Sequence, residues 1–250
     1  MIAIDKITEQ KDVQLTVKGI SLCFGGHEIL HEVDLDLKSG QIALLRGGNG
    51  TGKTTLLNIL SGFIAPDAGF ANLQVGNKNI DLLNKSPDQL ARNGIARLWQ
   101  ENRLFNNMTV LENVLAASPY GKGISPIFTL IAPHKVKQLE ERFKNQALSW
   151  LTLLGMADRA DSSCDKLSGG QQKRVAIARM LQTGAKFLLL DEPLANLDQS
   201  AIEAILSDLR WLAEKGYAIL IVEHNYSSIL PICNLSYTLS DANLLREELN

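Results

Sequence analysis

Three clusters of side chains in this sequence have types and spacings that point to chemistry. The first, Gly47-Gly48-Asn49-Gly50-Thr51-Gly52-Lys53-Thr54, matches G-x-x-x-x-G-K-[ST]. Glycines let successive backbone N–H groups turn toward one centre, forming an anion nest at a helix N-terminus. Lys53 brings a compact cation for the β and γ phosphates of a nucleotide, and Thr54 a hydroxyl able to ligate Mg2+. A turn that needed glycine only for its shape would not ask for Lys and Thr in that order. The second cluster closes the run Phe187-Leu188-Leu189-Leu190-Asp191-Glu192. It sets two carboxylates at the end of an apolar strand, where open α/β sheets hold their ligands. Asp191 suits Mg2+, held through water, and Glu192 is the candidate general base toward an attacking water. The third is Leu167-Ser168-Gly169-Gly170-Gln171. Ser168 and Gln171 have the spacing of a capping box, but a capping box does not call for two glycines inside it. Gly169 and Gly170 leave backbone N–H groups open at the positive end of a helix, a second phosphate-binding surface. One chain rarely needs two such surfaces for one γ-phosphate. A dimer does, if each subunit covers the nucleotide of the other.

These residues need a scaffold, and the apolar pattern supplies one. Ile42–Leu45, Phe187–Leu190 and Ala218–Val222 are short continuous apolar runs, the pattern of strands buried on both faces of a parallel sheet. The first leads through the glycine loop into a helical pattern beginning at Lys53, which is the start of an α/β unit. Val13–Val17 and Val33–Leu37 alternate apolar and polar residues, predicting a small antiparallel sheet beside the parallel one. Val136, Leu139, Phe143, Ala147, Trp150 and Leu154 repeat in steps of three and four, predicting an amphipathic helix ended by Gly155, with its charged face in solvent. Pro119, Gly121, Gly123, Pro126 and Pro133 make the stretch before it irregular. The expected organisation is one α/β domain, with residues 12–95 and 183–250 forming the core and residues 96–182 a helical insertion carrying the third motif.

At this point the sequence resembles the ABC ATPases, from residue 13 to about residue 230. Leu167–Gln171 is similar to the family signature, and the remaining family elements follow in order: Gln100 in RLWQENRLF, Pro193, Asp198 in LANLD and His224 in IVEHN. The resemblance implies a P-loop NTPase core of the RecA-like kind, with a mainly parallel sheet, an N-terminal antiparallel β subdomain and an inserted helical subdomain. It implies ATP and Mg2+ as cofactors. Nucleotide would be bound by Gly47, Asn49, Gly50, Thr51, Gly52, Lys53, Thr54 and Thr55, with Phe24 stacked on adenine. Ser168, Gly169, Gly170, Gln171 and Asp198 would act across a dimer interface. Thr54, Gln100 and Asp191 would hold the metal, and Glu192, His224, Gln100 and Lys53 would carry catalysis, His224 on the γ-phosphate. For Phe24, packing in the core is the alternative. His27, His31 and His134 have no such context.

The segments ILSGFIAPDAG, GIARLWQENRLFNNMTVLENV and DKLSGGQQKRVAIARM look like the ATPases of branched-chain amino acid importers and their urea-uptake relatives. The implied partners are integral-membrane permease subunits, a second ATPase subunit (identical or similar) and an extracytoplasmic solute-binding protein, with the chain on the cytoplasmic face of the membrane. Four departures leave the transported compound and its direction open, export or envelope-lipid transfer included. Residues 119–135 have little of the family pattern, Leu194–Asp198 reads LANLD, Asn225 replaces the more usual Asp, and the tail from Thr238 is short, without a Gly-containing hairpin.

Composition narrows the competing functions. Lys and Arg number 25 against 27 Asp and Glu, a formal charge of −2 that gives no basic footprint for nucleic acid. One phosphate loop, one signature and no sustained heptads argue against a soluble ABC ATPase of DNA repair or translation, and Glu192 with His224 against a clamp that does not turn over. No apolar run, Ile127–Ala132 among them, approaches the roughly 18–20 residues that cross a bilayer, and MIAIDKITEQK is not a signal-peptide pattern. Cys23, Cys164 and Cys233 form no CxxC pair and are expected to be free thiols packed in the interior.

Overall fold

A computed structural model of the chain describes residues 12–119, 133–224 and 226–249. In chain order it contains β1 (Val13–Phe24), β2 (His27–Lys38), β3 (Ile42–Arg46), α1 (Lys53–Leu60), β4 (Ala68–Val75), β5 (Lys78–Asp81), α2 (Pro87–Arg92) and β6 (Ile95–Leu98). Then come α3 (Val110–Leu115), α4 (Pro133–Leu153), α5 (Gly169–Gln182), β7 (Phe187–Asp191), α6 (Gln199–Glu214), β8 (Ala218–Val222), β9 (Leu235–Ser240) and β10 (Asn243–Glu248). The described residues divide into two compact units, one within Asn102–Gly184 and the other formed by residues 12–101 together with those from Ala185 onward. Ile127–Ala132 and Asn225 lie outside the described residues, as does most of 119–135.

The larger unit is α/β. Its six-stranded sheet runs in the order β10-β9-β3-β8-β7-β6, parallel from β9 through β6, with β10 antiparallel at the edge. The three apolar runs are strands β3, β7 and β8, and every residue of β7 and β8 is buried. Continuous apolar strands are stable only where both faces are covered. The second sheet, β2-β1-β4-β5, is antiparallel throughout. It buries Leu15, Leu35 and Leu37 in the same core as Leu45, Leu56 and Leu189. Strand β6 pairs with β7 and so carries residues 95–98 into this unit.

In the tail β9 and β10 pair as an antiparallel hairpin that contains no glycine. Its two turn residues, Asp241 and Ala242, take left-handed φ values of 48° and 63° without glycine. Such a turn twists with its strands. It is held by Asn243 Nδ2 donating to the Asp241 carbonyl (2.7 Å) and by the His31 N–H donating to the Ala242 carbonyl (2.8 Å).

In the smaller unit the predicted amphipathic helix is α4. Phe143, Ala147, Trp150 and Leu154 are buried, and charged residues such as Lys137 and Glu140 are exposed. It ends at Gly155 (φ 65°), where the Met156 N–H donates to the Leu151 carbonyl (2.7 Å) and the Gly155 N–H to the Thr152 carbonyl (3.1 Å). This pair of bonds satisfies carbonyls that the helix end would otherwise orphan. Gln182, fully buried on α5, donates to Ser118 Oγ (2.8 Å) and the Phe143 carbonyl (3.1 Å), tying the helices of this unit together.

Of the cysteines, Cys164 and Cys233 are buried, but Cys23 is exposed. The packing expectation fails there because Cys23 sits at the hairpin end of β1, opposite exposed Glu28 and beyond the buried residues of the strand.

Candidate nucleotide site

The loop between β3 and α1 has the backbone the motif requires. Gly47 takes φ 154°, and a Cβ there would collide with the carbonyl oxygen of Leu239. Gly52, at φ 102° before the first turn of α1, would set a Cβ 3.0 Å from the Ile29 carbonyl. The loop's Asn49 and Gly50 are exposed, as is Thr54 in the first helical turn. Lys53 is 5% exposed and folds back over the loop, its Nζ donating to the carbonyls of Gly47 (2.8 Å) and Gly48 (2.6 Å). Burial pulls the Lys53 ammonium below its ordinary pKa, partly opposed by the carboxylates of Glu192 and Asp191. The lysine therefore sits within electrostatic reach of the second motif.

That motif leaves the sheet abruptly. Asp191 ends β7, whereas Glu192 takes φ 49°, a conformation that non-glycine residues adopt only where the surroundings enforce it. The Glu192 N–H donates to the Val222 carbonyl (2.9 Å), and the segment that follows is braced by buried Glu223, whose Oε1 accepts from the Leu194 N–H (2.8 Å). The turn aims the Glu192 carboxylate between two residues from neighbouring strand ends. Gln100 Nε2 donates to Oε2 at 2.9 Å, and His224 Nε2 lies 3.0 Å from Oε1. The ends of β6, β7 and β8 thus bring Gln100, Glu192 and His224 together. Beside them, Asp191 Oδ2 is paired with Arg97 Nη2 at 2.9 Å.

Sequence reasoning missed Arg97 and Glu223. The signal for Arg97 was a charged residue inside the otherwise apolar run Ile95–Leu98. For Glu223 it was an acid directly after five buried apolar residues.

Phe24 is half exposed at the end of β1, so it does not pack in the core. Asp198 is the N-cap of α6, accepting from the Ala201 N–H (2.8 Å) and the Ser200 hydroxyl (2.7 Å). The Ser200 hydroxyl, then the Ala201 amide, hold its carboxyl below the ordinary range. In the smaller unit, Ser168 and Gln171 form the capping box that their spacing predicts. Ser168 Oγ accepts from the Gln171 N–H (3.3 Å), and Gln171 Oε1 accepts from the Ser168 N–H (3.0 Å). Gly169 and Gly170 are the first two residues of α5, leaving amides at a helix start without side-chain cover.

A glycine loop at a helix start, a buried lysine and paired acids at the ends of parallel strands define a P-loop nucleotide hydrolase. Residues 30–195 match the family model described as "ABC transporter". The chain is 34% identical, over 93% of its length and 88% of the relative's, to the probable branched-chain amino acid transport ATP-binding protein LivG of Archaeoglobus fulgidus. An ATP-binding cassette of an ABC transporter solved in its ADP conformation superposes with a TM-score of 0.79 at 31% identity, covering 95% of this chain and 91% of that one. A bacterial ABC transporter cassette solved as a dimer superposes at 0.73 with 28% identity, covering 94% and 99%. The chain belongs to the ABC transporter ATP-binding family and is a nucleotide-binding, ATP-hydrolysing cassette. Among the described residues no helix is long and apolar enough to cross a membrane.

Proposed function

We propose that two such subunits, identical or closely similar, close head to tail on two MgATP molecules and power a membrane permease that takes up branched-chain amino acids or similar small solutes. The observation that carries this reading is the Glu192 carboxylate held between Gln100 and His224 beside Lys53 and Asp191. Glu192 is then the base toward attacking water, and His224 exchanges its bond to Glu192 for one to the γ-phosphate. Lys53 trades the carbonyls of its own loop for phosphate oxygens, which the loop amides also receive. Phe24, exposed on the rim, stacks on adenine. Ser168, Gly169, Gly170 and Gln171 cover the nucleotide of the opposite subunit, and Asp198 lies at that interface.

The residues present fit Mg2+. The Thr54 hydroxyl, the Asp191 carboxylate and the Gln100 side-chain oxygen are hard oxygen donors of the kind this ion takes. Thr54 is exposed, and Asp191 commits only Oδ2 to Arg97. When bound, the ion neutralises charge between the phosphate oxygens.

The solute class follows the LivG relatives, which are branched-chain amino acid transport ATP-binding proteins. The chain docks on the cytoplasmic face of an integral-membrane permease, and a solute-binding protein on the far side completes the assembly. The test is the Glu192→Gln chain with ATP and Mg2+, followed by size-exclusion chromatography with light scattering. The expected result is a dimer that reverts to monomer with ADP. A chain that stays monomeric under all conditions, or one that hydrolyses ATP at the native rate, would falsify the scheme. Loss of branched-chain amino acid uptake in cells carrying this variant tests the substrate, and unchanged uptake overturns it.

A further inference from the structure

Strand β6 is apolar except for Arg97, and a Leu or Val there would satisfy the sheet equally well. The Arg97 side chain is only 4% exposed, and its Asp191 partner 11%. A buried guanidinium is costly unless its donors are met, and the two Nη groups are met from two places. Nη1 donates to Asn58 Oδ1 (2.7 Å) and Ser61 Oγ (3.0 Å), at the far end of the helix that begins with Lys53. Nη2 donates to Asp191 Oδ2 (2.9 Å). The guanidinium carbon lies 3.8 Å from the centroid of the Trp99 ring, and that ring meets Phe63 edge-on at 5.2 Å. Stacking of this kind fixes the plane of the guanidinium. One residue past Trp99, Gln100 holds Glu192. The short stretch from Arg97 to Gln100 therefore grips both carboxylates of the β7 end, Asp191 through Arg97 and Glu192 through Gln100.

We infer that Arg97 is a positioning residue for ATP hydrolysis: it fixes the orientation of Asp191 toward Mg2+, using Asn58, Ser61 and Trp99 as its own supports. The inference rests on the reading of Asp191 as the metal carboxylate. Groups that orient a metal ligand change metal affinity about 10–100-fold when removed. Arg97 also supplies, with Lys53, the second of two positive charges set against two adjacent carboxylates.

The experiment measures ATP affinity by calorimetry for the full-length chain, with Mg2+ and with EDTA, and takes the ratio of the two. Arg97→Met is expected to bind ATP in EDTA as the native chain does, with the gain from Mg2+ reduced about 10-fold. Arg97→Lys, which keeps the charge but not the fork, is expected to recover part of that gain. Arg97→Gln is read by the same criteria should the methionine variant fail to fold. The Asp191→Asn chain is the control for the underlying reading and is expected to lose the gain, with no further loss when Arg97→Met is added. If Asp191→Asn loses the gain while Arg97→Met and Arg97→Gln keep it, Arg97 does not position Asp191 and the reading of Asp191 stands. If Asp191→Asn keeps the gain, or the native chain shows none, the metal reading falls and the inference with it. Equal losses with and without Mg2+ in the Arg97 variants would assign the residue to folding alone, which also overturns the proposal.

Discussion

Gln100 Nε2 and Glu192 Oε2 lie 2.9 Å apart although 92 residues separate them in the chain. With His224 Nε2 3.0 Å from the other oxygen, the proposed base has both carboxylate oxygens engaged. Replacing Glu192 with Gln preserves the size of the side chain and its capacity to hydrogen-bond both neighbours, but removes the proton acceptor. The expected outcome is unchanged ATP affinity and a turnover rate lowered by roughly 10²–10⁴-fold, the span of general-base contributions. Single-turnover hydrolysis against equilibrium nucleotide binding checks it, and affinity and rate falling together would assign Glu192 to binding instead.

Ser168 has an observed role as a helix cap and a proposed one on phosphate, and a suitable pair of substitutions separates them. As an N-cap its hydroxyl accepts from the Gln171 N–H, and Ser168→Ala is expected to cost about 1 kcal/mol of stability. Aspartate caps a helix as well as serine does, so Ser168→Asp keeps the cap while placing a negative charge where the proposed dimer receives a γ-phosphate. This variant is expected to melt at the native temperature and yet to lose ATP-driven dimerisation. Native ATPase activity in Ser168→Asp would remove Ser168 from the phosphate surface.

What the sequence revealed and what it concealed divide along the range of the interactions. Strands β3, β7 and β8 were legible because burial on both faces demands uninterrupted apolar residues, and the Ser168–Gln171 cap because it spans a single turn. The glycine loop was legible because its backbone tolerates no Cβ at Gly47. Contacts set by sheet order left no local trace. Nothing in the spacing of Gln100, Glu192 and His224 tells that β6, β7 and β8 end side by side, and the family resemblance alone grouped them. Arg97 stood in plain view as a charge in an apolar strand, but its partners Asn58, Ser61 and Asp191 come from distant segments. The terminal hairpin was hidden because its turn uses Asp241 and Ala242 where glycine is the usual marker.

Asp34 makes stability depend on acid. Its carboxyl is held below the ordinary value first by the Gly19 N–H, 2.8 Å from Oδ1, and then by the Lys18 ammonium, 3.0 Å from Oδ2. A group whose pKa is lowered by folding stabilises the fold fully above its unfolded value, near 4, and loses that contribution as pH falls through the lower folded value. Asp34→Asn is therefore expected to lower stability at pH 7 and to flatten the fall in stability below about pH 4. Urea denaturation at stepped pH measures both, and an acid limb as steep as the native one would exclude Asp34 as a contributor.

The thiols differ in access. Cys23 is exposed, while Cys164 and Cys233 are buried, burial raising the Cys164 thiol and pushing Cys233 up to about 12. Only thiolates react, so a charged disulfide reagent at pH 8 is expected to modify one thiol quickly in the native chain and two more only in denaturant. Cys23→Ser should abolish the fast phase. Two fast thiols in the native chain would mean that a buried site opens on the timescale of the reaction.

The turn between β9 and β10 offers a gain of stability without a change of function. Ala242 holds φ 63°, and an alanine in that region pays roughly 1–2 kcal/mol because its Cβ crowds the following carbonyl. Glycine avoids this crowding but surrenders about 0.4–1 kcal/mol through the greater freedom of its unfolded chain. Ala242→Gly is thus expected to stabilise the protein by about 0.5–1 kcal/mol, with Asp241-Gly forming the pairing this turn favours. The hydrogen bond from the His31 N–H to the carbonyl of residue 242 is a backbone contact and survives the change. Ala242→Val, with a branched Cβ in the same conformation, should destabilise. Urea midpoints for the two variants, measured with unchanged slope, decide the matter. A glycine variant less stable than the native chain would mean that Ala242 is not strained, and that the hairpin is set by its strand pairs rather than by its turn.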